Sequence, residues 1–116
     1  MQLIGIGVDL IEIDRIQRLA KNPRFLSKVF TKEEIRYSST KKNKWQHFAV
    51  RFAAKEAVWK ALNRSGVHWR DIGVEKSVSG RPEVRLQHKK FGEVTVMLSL
   101  SHTARYAAAS AVAFKP

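Results

Sequence analysis

The sequence predicts an α+β fold: a mostly antiparallel sheet packed on one long helix and shorter helices, in one domain over residues 1–116. Three observations lead there. The chain opens on an apolar, glycine-containing stretch, Gln2–Leu10. Its middle, Lys44 to Leu62, repeats apolar residues at helical spacing. After Asn63 come short β-like runs joined by short links, which suits antiparallel pairing with helices and strands in separate stretches of chain.

Each element has its own signal. Gln2–Leu10 alternates, with Ile4, Ile6, Val8 and Leu10 on one face and Gly5, Gly7 and Asp9 on the other, and reads as a buried strand. A short helix from Ile11 or Glu12 to about Lys21 stops before Asn22-Pro23, because the residue ahead of a proline is pushed out of helical geometry. Thr31-Lys32-Glu33-Glu34 has capping-box spacing and opens a further helix. Ser38 to Lys44 is polar and basic, as a loop is. Asp71–Val78, Pro82–Leu86, Val94–Leu100 and Tyr106–Phe114 read as strands, Ser79-Gly80 as a turn, and His88–Gly92 is compatible with a short helix.

Charge narrows the partners. Of 116 residues, 22 are Lys or Arg and 10 Asp or Glu, a formal charge of +12. The excess is shared equally between the two halves, so there is no detachable basic tail. Such a chain seeks an anion: nucleic acid, anionic lipid, a phosphorylated small molecule or an acidic protein. Cysteine is absent, which excludes disulfides, thiolate metal sites and a thiol nucleophile. No apolar run reaches membrane-spanning length and no secretory leader is present, so the expected compartment is the cytoplasm. There is no Walker A sequence, dinucleotide fingerprint or G-x-S-x-G elbow. His47, His68 and His88 lack metal-ligand spacing and read as surface or core residues.

Two carboxylates stand where apolar residues belong. On a wheel of about 100° per residue, Trp45, Ala49, Phe52 and Trp59 form one stripe, and Glu56 falls inside it. Arg51 and Lys55 lie on the flank. A carboxylate in an apolar stripe is costly unless paired or bound to a cation. Glu56 is either a partner of Lys60, one turn on, or a metal or acid–base residue. Asp9, at the end of the apolar strand and on its glycine face, either caps the next helix or ligates. Together they can build a Mg²⁺ site, since that ion takes one or two carboxylates and completes its shell with waters and phosphate oxygens. Ser99-Leu100-Ser101-His102-Thr103 ends a strand with hydroxyls and an imidazole, read either as a polar turn or as a phosphate site.

Gly5-Ile6-Gly7-Val8-Asp9, Arg51-Phe52-Ala53-Ala54-Lys55-Glu56-Ala57-Val58-Trp59-Lys60-Ala61 and Ser99-Leu100-Ser101-His102-Thr103 resemble holo-acyl-carrier-protein synthases, the short bacterial type of 4'-phosphopantetheinyl transferase. Phe30-Thr31 with Glu34, Trp69-Arg70-Asp71-Ile72 and Ser79-Gly80-Arg81-Pro82 extend the resemblance over nearly the whole chain. It implies transfer of the phosphopantetheine arm of coenzyme A to a serine of an acidic apo-acyl carrier protein in fatty acid biosynthesis, with adenosine 3',5'-bisphosphate leaving. It implies Mg²⁺ on Asp9 and Glu56, phosphate contact and proton transfer at Lys60, with Glu56 the other candidate base. It further implies phosphate contacts from Arg51, Ser101, His102 and Thr103, and adenine contact from Gly80-Arg81-Pro82. Arg15 would meet the carrier, in a homotrimer with active sites between subunits. Where the family usually has Gly-Thr-Gly after the helix, this chain has Asn63-Arg64-Ser65-Gly66. The rival is a basic nucleic-acid-binding domain, which expects exposed aromatics for stacking and gives Asp9 and Glu56 no role. A third reading is an inactive scaffold for acidic carriers.

Overall fold

A computed structural model describes residues 1–87 and 91–116. The elements in order are β1 (Gln2–Glu12), α1 (Ile13–Leu19), α2 (Pro23–Val29), α3 (Lys32–Ser39), α4 (Lys44–Leu62), a 3-10 turn at Trp69–Asp71, β2 (Ile72–Lys76), β3 (Pro82–Leu86), β4 (Thr95–His102) and β5 (Tyr106–Lys115). All pairings are antiparallel, as expected, but they form two sheets: β1-β5-β4 and the β2-β3 hairpin. Most of the helix expected at His88–Gly92 lies outside the described residues.

Local chemistry accounts for the element ends. Asn22-Pro23, read as a stop, also starts α2: Asn22 Oδ1 accepts from Arg24 N at 3.0 Å and the proline sits in the first turn. The capping box holds, with Glu34 N donating to Thr31 Oγ1 at 3.2 Å and Thr31 N donating to Glu34 Oε1 at 2.8 Å. β1 runs on to Glu12, which is the N-cap of α1, so Asp9 caps nothing. Asn63 ends α4 at φ 52°, in the left-handed region that asparagine tolerates. Gly66 is also at positive φ, 77°. The altered loop thus keeps a left-handed turn although its first residue is no glycine.

The core lies between α4 and the three-stranded sheet. Gly5 and Gly7 let the helix backbone close on β1: a Cβ on Gly7 would sit 1.9 Å from the Ala57 carbonyl oxygen, and one on Gly5 2.4 Å from that of Ala61. From β5, Ala107, Ala109, Ala111 and Ala113 complete this flat contact.

Two expectations are corrected. The alternation of β1 is right, but its apolar face is open: Ile6, Val8 and Leu10 are 72, 66 and 66% exposed. Across the sheet, Val112 and Met97 extend the same open face. The stripe of α4 is also misjudged. The helix is buried on most sides, through Phe48, Ala49, Ala53, Ala54, Ala57, Val58, Ala61 and Leu62, and even Arg51 and Lys55. Trp45 and Phe52 are only half-buried and Trp59 is 46% exposed, so the aromatic stripe is the rim and not the core. The physical reason is that alanines fit the closest contacts, while the large rings fill the margin.

Candidate active site

The later part of β1 and the fourth and fifth turns of α4 bring Asp9, Glu56 and Lys60 together. Lys60 Nζ donates to the Val8 carbonyl at 3.0 Å and lies 3.8 Å from Asp9 Oδ1. Burial pushes the Asp9 carboxyl above its ordinary range, opposed by Lys60, by its bond from the Leu10 backbone and by Arg15 on α1. Burial also pushes Glu56 up, and the Asp9 charge adds to it; Lys60 opposes. The two carboxylates therefore repel each other in a partly dehydrated corner. Of the two readings of Glu56, the ion pair with Lys60 does not form among the described residues; Lys60 turns to Asp9 instead. Among the described residues no group of three or more His, Cys, Asp or Glu forms a metal cage. Two carboxylates whose mutual repulsion a divalent cation would relieve do fit Mg²⁺, which uses few protein ligands.

A second group faces a recess of about 240 Å³ between α4 and the β2-β3 hairpin, lined by Tyr37, His47, Arg51, Lys76, Gly80, Pro82 and Leu100 among others. Arg51 is 8% exposed, its guanidinium lying 4.5 Å from the centre of the Tyr37 ring, and its Nη1 donates to the His47 carbonyl at 3.2 Å. Arg51 Nε is buried with no hydrogen-bond partner. Burial holds Arg51 below its ordinary pKa, opposed by Tyr37 and Glu34. His47 is pushed down by burial and then by Arg51, Lys41, Lys76 and His102. Arg51, His47 and Lys76 line the recess with Glu75 as the carboxylate among them, and Lys41 and His102 act on His47 from nearby, so positive charge predominates and suits an anion.

The remaining predicted residues are dispersed. His102 is within hydrogen-bonding distance of Gln46, 3.0 Å between the side-chain nitrogens. Thr103 Oγ1 accepts from Arg105 N at 3.2 Å and Tyr106 N at 3.0 Å, so it shapes the β4-β5 turn while keeping its O–H to donate. Ser101 is exposed and pairs in register with Ala108, which faces Leu10, so it lies on the open side of the sheet, opposite to Asp9. Gly80 (φ 89°) makes the hairpin turn, and Arg81 reaches a separate recess with Ser99 and Met97. Arg15 is exposed and near enough to lower Asp9. The recess that holds Arg51 and His47 is not lined by Asp9, Glu56 or Lys60. Sequence reasoning missed Tyr37, His47, Lys41 and Lys76. His47 precedes Arg51 by one helical turn, which was the available signal; the others are brought in by tertiary packing.

The chain is similar to known proteins. The sequence profile of the 4'-phosphopantetheinyl transferase superfamily matches residues 5–111. A holo-[acyl-carrier-protein] synthase of Chlamydia caviae is 47% identical, over 97% of this chain and 98% of that protein. The crystal structure of a holo-(acyl-carrier-protein) synthase from Bacillus anthracis, in complex with CoA (3',5'-ADP), superposes with a TM-score of 0.87 at 30% identity, covering 100% of both chains. That of the holo-[acyl-carrier-protein] synthase from Neisseria meningitidis also gives 0.87, at 32% identity over 97% of this chain and 99% of that one.

Proposed function

The chain belongs to the 4'-phosphopantetheinyl transferase superfamily, among the holo-acyl-carrier-protein synthases, and from that premise we propose the following reaction, site and assembly. The whole chain works as one domain that moves the phosphopantetheine arm of coenzyme A to a serine of an apo-acyl carrier protein, for fatty acid biosynthesis in the cytoplasm. The observation that carries the site is the meeting of Asp9 and Glu56, from two elements, beside Lys60.

Asp9 and Glu56 hold Mg²⁺, which when bound polarises the phosphoryl group and neutralises charge on the leaving phosphate. The serine oxygen forms a bond to the β-phosphorus. The bond from that phosphorus to the bridging oxygen breaks, and adenosine 3',5'-bisphosphate leaves. The serine proton goes to a carboxylate or an amine of the chain. Glu56 is the candidate among the carboxylates and Lys60 among the amines. Lys60 donates to Val8 O and faces Asp9, which suits a phosphate clamp. Arg51, His47 and His102, with Gly80 and Pro82, receive the nucleotide end, and Ser101, Thr103 and Arg81 offer further donors at the open face. Arg15 meets the acidic carrier beside Asp9.

The open sheet face supports a homotrimer. Exposed Ile6, Val8, Leu10 and Met97 form the kind of apolar patch that another subunit covers. The family resemblance further implies that the carboxylates of one subunit meet the cationic recess of another. The decisive experiment mixes the purified protein with coenzyme A, Mg²⁺ and apo-carrier and weighs the carrier by mass spectrometry. The expected result is a gain of one phosphopantetheine group, abolished by chelating the metal. No gain with the cognate apo-carrier overturns the reading.

A further inference from the structure

The least explained ionisable group in the fold is Lys55, next to Glu56 in sequence and wholly buried. Its ammonium is fully used. It pairs with Glu34 Oε1 at 2.8 Å, donates to the Trp69 carbonyl at 3.1 Å, and donates to the Ile72 carbonyl. Glu34 is equally committed. Its Oε1 also accepts from Thr31 N and its Oε2 accepts from Val74 N, each at 2.8 Å. One buried knot thus ties α3, α4, the 3-10 turn and β2 together. Burial pulls the Lys55 ammonium below the ordinary lysine range, and Glu34 opposes this.

Elsewhere α4 is held largely by apolar packing, through Phe48, Val58 and Leu62 and through the fully buried Ala53, Ala54, Ala57 and Ala61. Among these contacts the alanines, small and alike, resist a turn of the helix least. Glu56 nevertheless meets Asp9 at one rotation only. Lys55 and Glu56 are about 100° apart around the helix, so a helix turned to satisfy Lys55 has Glu56 placed. A buried ammonium short of partners is strongly unfavourable, which makes this anchor directional where alanine packing is not.

We propose that Lys55 and Glu34 are a positioning pair: they set the rotation of α4 that aims Glu56 at Asp9, and so set the affinity of the two-carboxylate site for a divalent cation. This rests on the reading of Asp9 and Glu56 as the metal pair. Arg51, one turn earlier, is held by Tyr37 and the His47 carbonyl, with Glu34 adding only a favourable charge, so nucleotide binding is the internal reference.

The test uses the full-length protein and Mn²⁺ as the probe, with free Mn²⁺ read by electron paramagnetic resonance. Lys55→Met with Glu34→Gln removes both charges, and Glu34→Asp keeps the charge but shortens its reach. Thermal unfolding checks that each folds. The double variant is expected to unfold cooperatively, to bind coenzyme A without metal much as before, and to lose ~10- to 100-fold in Mn²⁺ affinity, as loss of a group behind a metal ligand does. Glu34→Asp should fold and lose less. Undiminished Mn²⁺ affinity in either folded variant overturns the proposal. So does an equal loss of Mn²⁺ and coenzyme A binding, which would mean general loosening. Unchanged Mn²⁺ affinity in Glu56→Gln overturns the metal reading itself, and this proposal with it.

Discussion

The carboxylate corner and the cationic recess are opposites built on one helix. At the corner, Asp9 and Glu56 are pushed up by burial, and Asp9 also raises Glu56. At the recess, Arg51 and His47 are pushed down by burial, and cations around His47 lower it further. In each, burial strains the charges first, and like charge adds to it at Glu56 and at His47; a divalent cation would relieve the corner and phosphates the recess. The buried Lys55–Glu34 pair between α3 and α4 shows the contrast. There opposite charges meet at 2.8 Å and every donor is used. Neutralised charge serves the fold, and unneutralised charge marks where substrate belongs.

The largest test of that contrast is removal of the corner's charge. Glu56→Gln or Asp9→Asn should cut transfer at limiting Mg²⁺ by ~10²-fold or more, measured as the rate of mass gain on the carrier. Mixing then asks whether the two regions belong to different subunits of one site. Assayed at limiting Mg²⁺ and at coenzyme A well below its KM, Asp9→Asn and Arg51→Ala should each be strongly impaired alone. Unfolded and refolded together they should regain about a quarter of the activity, the chance that a random cyclic assembly joins two intact halves. No regain would place both regions of one site in a single chain.

Smaller effects sharpen the contrast. Arg51→Ala should raise the KM for coenzyme A by ~10-fold or more, the weight of a charged hydrogen bond, with the carrier's KM little moved. Arg15→Glu should do the reverse, raising the carrier's KM several-fold at low salt and less at high salt, as an exposed charge contact does. The smallest effect is on stability. Both corner carboxyls titrate higher in the folded chain than in the unfolded one, so the folded chain holds more protons in mild acid. Metal-free stability should therefore fall as pH rises through that range. Melting curves should show Mg²⁺ stabilising more at about pH 7 than at about pH 5, because protonated carboxyls release the ion.

Much of this was legible in the sequence, and the failures have physical reasons. β3 falls on the expected Pro82–Leu86, and the Thr31–Glu34 capping box is present, because both signals are local. Asp9 and Glu56 stood out as carboxylates in apolar settings, and the structure unites them. Alternation in β1 told which residues share a face but not what covers it, and nothing among the described residues covers Ile6, Val8 and Leu10. Lys55 read as a flank residue because its partner Glu34 is remote in sequence. The aromatic stripe of α4 was taken for its core because size was equated with burial, whereas the closest packing here belongs to alanine and glycine.

The bare contact of Gly7 with α4 bears on how the protein tolerates change. An added methyl there would fall 1.9 Å from the Ala57 carbonyl oxygen, so the helix must retreat. Glu56, the neighbour of Ala57, would retreat with it and leave Asp9 behind. The mutational fragility of the centre thus extends to a position with no side chain: a scan for reactive groups would pass over Gly7, while a scan for loss of function would stop at it.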